Sequence, residues 1–199
     1  VTVALLWFRR DLRLGDHPAL LAALDAGTTV LPVFVLDPRL LVPDRPRTRR
    51  LLASVHALAE AMEGRLVLRS GDPVEVIPSL AREVGAQTVH VTRETTPFGR
   101  RRDAAVAEAL ARDGRRLVAT GTPYAAGPGL VLTRAGTPYR VFTPFARAWR
   151  DHGWPPPARL PLRAPTWFGG SVGSEVVTVG EDVHVTGGGL TGVVADTVG

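Results

Sequence analysis

Three short runs constrain this chain more than anything else in it: Val1–Phe8 (VTVALLWF), Thr29–Leu36 (TVLPVFVL) and Thr88–Thr92 (TVHVT). They are rich in β-branched and aromatic residues, and the first two are almost continuously apolar, the pattern of strands buried on both faces. Such strands belong to parallel sheets, and each parallel pairing needs a crossover of a dozen residues or more, usually a helix. The intervening segments supply those crossovers. A helix is expected through Ala26, with Asp16 as N-cap and Pro18 in its first turn. Others are expected over about Arg49–Glu63, from Gly71-Asp72-Pro73 to near Gly85, and over about Gly99–Arg112. Strands at Arg65–Arg69 and Arg116–Ala119 complete the set. The expected fold class is therefore α/β, with a five-stranded, doubly wound parallel sheet.

The alternation stops after residue 120. Leu130–Thr133 and Tyr139–Thr143 flank Arg134–Pro138 in the manner of a hairpin, and Pro144–Arg150 reads as a short helix. Trp154-Pro-Pro-Pro157 and the prolines after it read as a linker. Composition marks the same break. All 24 basic residues are arginine, and none lies beyond Arg163, where four acids and nine of the 21 glycines are found. The expected division is a domain over 1–155, then a Pro-rich linker and an irregular Val/Thr/Gly-rich tail over 156–199. The chain has no lysine, no asparagine and one isoleucine, the signature of a GC-rich gene. Its pI of 11.0 thus says little about nucleic acid.

Composition also removes function classes. Without cysteine there is no thiol catalysis, thiolate zinc site or iron–sulfur cluster. The five histidines have no metal-ligand spacing, GxSxG is absent, and no apolar run approaches a membrane span. His17, His56, His90 and His152 read as packing or surface residues. The expected location is the cytoplasm.

In a doubly wound sheet, ligands bind beyond the carboxyl ends of the strands, where strand order reverses. The loops that matter are then Arg9–Asp16, Asp37–Arg49 and Arg93–Gly99. The first holds no glycine before Gly15, and GxxxxGK[ST] is absent, so a phosphate cradle of the usual kind is not expected. The GxGxxG at Gly187–Gly192 lies in a glycine-rich tail with no room for the helix and acid that the fingerprint requires. Two arginine clusters are more telling. Arg45, Arg47, Arg49 and Arg50 open one expected helix, and Arg100, Arg101 and Arg102 open another, both near the crevice. An anion between them would explain cations placed against the helix dipole; a solvated face, with Arg100 and Asp103 paired at i,i+3, is the plainer alternative. No aromatic residues interleave with them for base stacking. Asp11, Asp16 and Asp37 stand beside arginines and are expected to form structural ion pairs.

Four segments carry a resemblance: Trp7-Phe-Arg-Arg-Asp-Leu-Arg-Leu-Gly-Asp-His-Pro-Ala-Leu20, Val33-Phe-Val-Leu-Asp-Pro38, Pro97-Phe-Gly-Arg-Arg-Arg-Asp103, and Gly136-Thr-Pro-Tyr-Arg-Val-Phe-Thr-Pro-Phe-Ala-Arg-Ala-Trp149. Together they resemble the N-terminal, Rossmann-like domain of the DNA photolyase/cryptochrome family over about residues 1–155. In that family this domain holds a light-harvesting antenna chromophore, and excitation passes to FAD in a helical domain that splits pyrimidine dimers. By the same resemblance, Phe34, Leu36 and Asp37 would line the chromophore pocket, with Arg47, Glu94, Phe98 and Arg100 around the ring and its side chain. Folate-binding members share an Asn-Glu pair near the position of Phe98-Gly99. Its absence favours an 8-hydroxy-deazaflavin, whose ready ionisation suits an arginine-rich crevice. The FAD and DNA domain would be longer than this whole chain. The expectation is therefore a chromophore-binding module without catalytic residues, repair activity or nucleic-acid contact of its own. The alternatives are an adenine-nucleotide-binding domain of similar topology and a non-functional truncated product.

Overall fold

The computed structural model describes residues 2–26, 29–42, 45–159, 164–179 and 183–188. In chain order the first elements are β1 (Val3–Phe8), α1 (Pro18–Ala26), β2 (Thr29–Leu36), α2 (Pro46–Ala61) and β3 (Val67–Ser70). They continue with α3 (Pro73–Glu83), β4 (Thr88–Thr92), α4 (Pro97–Arg112) and β5 (Arg116–Thr120). The five strands form one parallel sheet in the order β3-β2-β1-β4-β5. The chain winds outward through β2 and β3, then returns past β1 to β4 and β5. Strand order reverses between β1 and β4.

Period-two side-chain alternation divides the core between the two faces of the sheet. Ala4, Leu6 and Phe8 meet Ala19, Leu20 and Ala23 of α1 and Leu52, Val55 and Leu58 of α2. Leu5 and Trp7 meet Ile77 and Leu80 of α3 and Val106 and Leu110 of α4. This two-sided burial is why β1 and β2 read as apolar runs. His90, buried in β4, is a packing residue, and burial holds its imidazole below the ordinary value.

Three local expectations are corrected. Asp16 does not cap α1. Its φ of +48° turns the chain, and His17 takes the cap, its Nδ1 accepting from the Leu20 N–H at 3.0 Å. Next, Leu130–Thr133 and Tyr139–Thr143 do not pair as strands. The Thr133 N–H donates to the Thr137 carbonyl at 2.8 Å around Gly136, whose φ is +73°, and the ladder goes no further. The second arm is instead drawn into helix: Phe142 and Thr143 belong to α5 (Phe142–His152), which is longer than the expected Pro144–Arg150. No residue of α5 is buried.

The tail is partly ordered against the sheet. β3 pairs only with Val33–Leu36, which leaves the outer edge of β2 open at Val30. There the Val30 N–H donates to Thr166 O and the Phe168 N–H donates to Val30 O, each at 2.9 Å. Trp167 packs on the α1/α2 side of the sheet and Phe168 on the α3/α4 side. Ser174 accepts from the Leu68 N–H at 2.9 Å, and β6 (Ser174–Val179) pairs antiparallel with β7 (Val183–Gly188). Val1, residues 160–163 of the expected linker and the GGGLTG run beyond Gly188 lie outside the described residues.

Candidate functional site

The carboxyl ends of β1, β2 and β4 open into one cleft of about 530 Å³. Its position follows from topology: the segments after β1 and β4 diverge to opposite faces of the sheet and leave a crevice between them. Phe34, Val35 and Asp37 enter from the end of β2, Arg9 and Arg10 from the loop after β1, and Glu94 and Thr96 from the loop after β4. Arg47, Arg50, Leu51 and Ser54 come from α2, Phe98 and Arg102 from α4, and Leu40 from the loop between β2 and α2. Five arginines and two carboxylates thus face an otherwise largely apolar space.

Beneath the cleft, Asp11 anchors the loop after β1. Only 4% exposed, it accepts from the Arg9 N–H at 3.0 Å and from Thr92 Oγ1, with His17 Nε2 3.1 Å from its second oxygen. Burial alone would raise its pKa, but the His17 ring and the Thr92 and Arg9 hydrogen bonds outweigh that and hold it well below the ordinary carboxylate range. Because His17 Nδ1 accepts a backbone N–H, the ring proton is assigned to Nε2, toward Asp11. The Arg9 guanidinium reaches across the switch point to the Thr92 carbonyl and to Asp103.

The carboxylates of the cleft are held in place. Asp37 receives a two-pronged contact from Arg39, Nε to Oδ1 at 2.9 Å and Nη2 to Oδ2 at 2.8 Å. Burial opposes ionisation of Asp37, but Arg39 and Arg102 keep its pKa below the usual value. The Arg39 guanidinium also lies over Phe98, 5.8 Å from the ring centroid. Glu94 Oε1 accepts from the Thr95 and Thr96 N–H groups at 2.8 and 3.1 Å. Those bonds, with Arg10 and Arg9 nearby, lower its pKa against the cost of burial. Gly99 makes room for this arrangement, since a Cβ there would sit 1.9 Å from Glu94 Cγ.

Arg47 and Arg50 differ from the other arginines of the cleft. They stand in the first turns of α2 and form no ion pair among the described residues. Arg102, by contrast, pairs with Asp103 at 2.9 Å, so Asp103 is engaged by Arg102 and Arg9 and not by Arg100.

Of the seven residues singled out in the sequence, Phe34, Asp37, Arg47, Glu94 and Phe98 line the cleft together. Leu36 does not; it is fully buried in the α1/α2-side core. Arg100 does not either; it is exposed, on a turn of α4 whose neighbours Phe98 and Arg102 do line the cleft. Trp7, Arg9, Arg10 and Leu40 also line the cleft; the last three lie on loops expected at the crevice but were not singled out as pocket residues. The arginines had a usable signal, since they follow the first strand at the point where strand order reverses.

The family model for DNA photolyase matches residues 4–164. The chain belongs to the DNA photolyase family. It is 43% identical over 162 residues to a deoxyribodipyrimidine photo-lyase of Thermus thermophilus, covering 79% of this chain and 36% of that protein. A second, from Agrobacterium fabrum, is 38% identical over 147 residues, covering 72% of this chain and 31% of its own length. Among solved structures, a bacterial class III photolyase from Agrobacterium tumefaciens superposes with a TM-score of 0.68 at 34% identity, over 84% of this chain and 37% of that one. A Synechocystis cryptochrome shares the fold, with a TM-score of 0.71 at 24% identity over 84% of this chain and 37% of that one. The chain therefore spans about a third of the photolyases it matches and corresponds to their N-terminal α/β domain. No described helix is long and apolar enough to cross a membrane.

Proposed function

We propose that the cleft binds a planar, ionised heteroaromatic chromophore, an 8-hydroxy-deazaflavin in preference to a folate. In this reading the domain is the light-harvesting module for FAD held in a helical domain of the photolyase type. The observation that carries it is the pair Arg47 and Arg50, without carboxylate partners among the described residues, beside a cleft walled by Phe34, Val35, Leu40, Leu51 and Phe98. A space of about 530 Å³ lies within the range of small-molecule sites, which combine apolar walls with a few polar groups that orient the ligand. Arg47 and Arg50 would meet the ionised oxygen through charge-assisted hydrogen bonds. Phe98 and Phe34 would bracket the ring, while Asp37 and Glu94, already engaged, keep neighbouring donors in position. The bound group would supply absorption of visible light and onward transfer of the excitation. No dimer splitting is expected from these residues alone under blue light. An adenine nucleotide fits less well, because the Arg9–Leu14 loop offers no glycine-lined approach to a phosphate.

The test is a titration with an 8-hydroxy-deazaflavin, a folate and ATP in parallel, followed by fluorescence polarisation and thermal shift. The deazaflavin is expected to bind most tightly and in its ionised spectral form. Arg47→Ala should weaken it about tenfold, the loss of one charge-assisted contact. Stabilisation by ATP but not by the deazaflavin would replace this reading with a nucleotide-binding one.

A further inference from the structure

Trp7 lies under the cleft with its ring beneath two cations. The Arg9 guanidinium is 4.9 Å from the indole centroid and that of Arg102 is 5.0 Å from it. Both are held by the same carboxylate oxygen, Asp103 Oδ1, so these three groups together carry a net charge of +1, with Glu94 and Asp37 also acting electrostatically on the arginines. Attraction between a guanidinium and a π face does not by itself account for the pair. One arginine would suffice for packing, and the second is set against the repulsion of the first, which together with burial pushes the Arg102 pKa down. Trp7 is only 1% exposed, yet it contributes to the cleft wall. An indole in that position is the natural electron donor to any photoexcited conjugated ring bound in the cleft.

We propose that Arg9 and Arg102 act as electrostatic guards that keep Trp7 from being oxidised by an excited chromophore, so that absorbed energy leaves the site as excitation and is not lost to charge separation. The competing step moves one electron from the indole to the excited ring, oxidising Trp7 to a radical cation and reducing the ring by one electron. A net positive charge about 5 Å from the indole disfavours the new cation directly. Neither arginine need touch the chromophore for this; they act through Trp7. The inference rests on the light-harvesting reading for its purpose, but the effect of the charges on Trp7 can be measured independently.

The experiment uses the full chain and added riboflavin as photo-oxidant, with the indole radical followed by transient absorption. The chain is compared with Arg102→Met, Arg102→Lys and Trp7→Phe variants and the Arg102→Met/Trp7→Phe double variant, each checked for folding by circular dichroism. Arg102→Met should raise the Trp7-dependent radical yield on the order of fivefold, as expected for removing one unit charge near the ring. Arg102→Lys should stay near the unsubstituted chain, and Trp7→Phe should abolish the increase in the double variant. An unchanged yield in Arg102→Met, an equal rise in Arg102→Lys, or a rise that survives Trp7→Phe would each overturn the proposal. In a second arm, the fluorescence lifetime of bound 8-hydroxy-deazaflavin should shorten in Arg102→Met and recover in the double variant. Absence of deazaflavin binding would defeat the light-harvesting reading, and the radical yields would still decide the role of the guards.

Discussion

At the scale of single residues, the switch point depends on Asp11. Its carboxylate joins the loop after β1 to the end of β4 through Thr92 and to the start of α1 through His17. Replacing it with Asn removes a charged acceptor from a buried network and should cost roughly 2 kcal/mol, measured as a lower urea midpoint at neutral pH. The pH dependence has a definite sign. Asp11, Asp37 and Glu94 all have depressed folded-state pKa values, so their contribution is complete above the ordinary carboxylate range, about pH 4, and is lost as pH falls below it. His90 is also depressed, so its contribution begins to fall away below about pH 6.5. Asp11→Asn should therefore flatten the stability profile below about pH 4 and leave the step near pH 6 unchanged. A profile with the original acid slope would show that Asp11 is not the group responsible. The sequence contained Asp11 and His17 but not their relation. One stands in the loop after a strand and the other just before a helix, and only the fold brings them within 3.1 Å.

At the scale of elements, the start of α4 shows local sequence and site geometry acting together. Thr96 caps the helix by accepting from the Gly99 N–H at 3.1 Å, and Glu94 folds back over Gly99. A Cβ at Gly99 would displace Glu94 from the Thr95 and Thr96 N–H groups. Gly99→Ala should therefore lower stability by about 1–3 kcal/mol as an overpacked contact, despite alanine's better helix propensity. Chromophore affinity should fall with it. A melting temperature at or above that of the unsubstituted chain would show that Glu94 relocates freely. The Pro97-Phe98-Gly99-Arg100 run was legible as the start of a helix and as a family feature. The use of its glycine was not, because the side chain that needs the space lies five residues upstream. α5 is the opposite case. Its eleven residues include Phe142, 77% exposed, and none is buried, so tertiary packing within the described chain gives it little support.

At the scale of the whole molecule, the residues after the linker are part of the sheet's architecture. Composition set 164–199 apart, with no arginine and nine glycines. The structure nonetheless seats Thr166–Phe168 on the open edge of β2 and places one aromatic side chain on each face of the sheet. Trp167→Ala should cost about 2 kcal/mol in equilibrium unfolding, less than a fully buried Trp because the ring is only partly covered. It should also expose an unprotected edge at Val30, seen as faster amide exchange there. An effect within about 0.5 kcal/mol, the range of an ordinary surface change, would show that the contact is incidental.

The division of labour between sequence and fold comes from the range of the interactions. Strand hydrophobicity, glycine and proline punctuation and helix starts are local, so the sequence alone determined a doubly wound parallel sheet, the loops at its carboxyl ends and the family it resembles. Charge convergence is not local. Which arginines face the cleft, which are spent on Asp37 and Asp103, and why Arg100 points away were decided by helix rotation and strand order. Leu36 and Phe34 share one core cluster on the same face of β2, yet only Phe34 also borders the cleft, a difference that depends on how the covering elements pack. The pairing of Arg9 and Arg102 over Trp7 is the clearest instance: residues 7, 9 and 102 share one ring environment because β1 and α4 meet at the switch point.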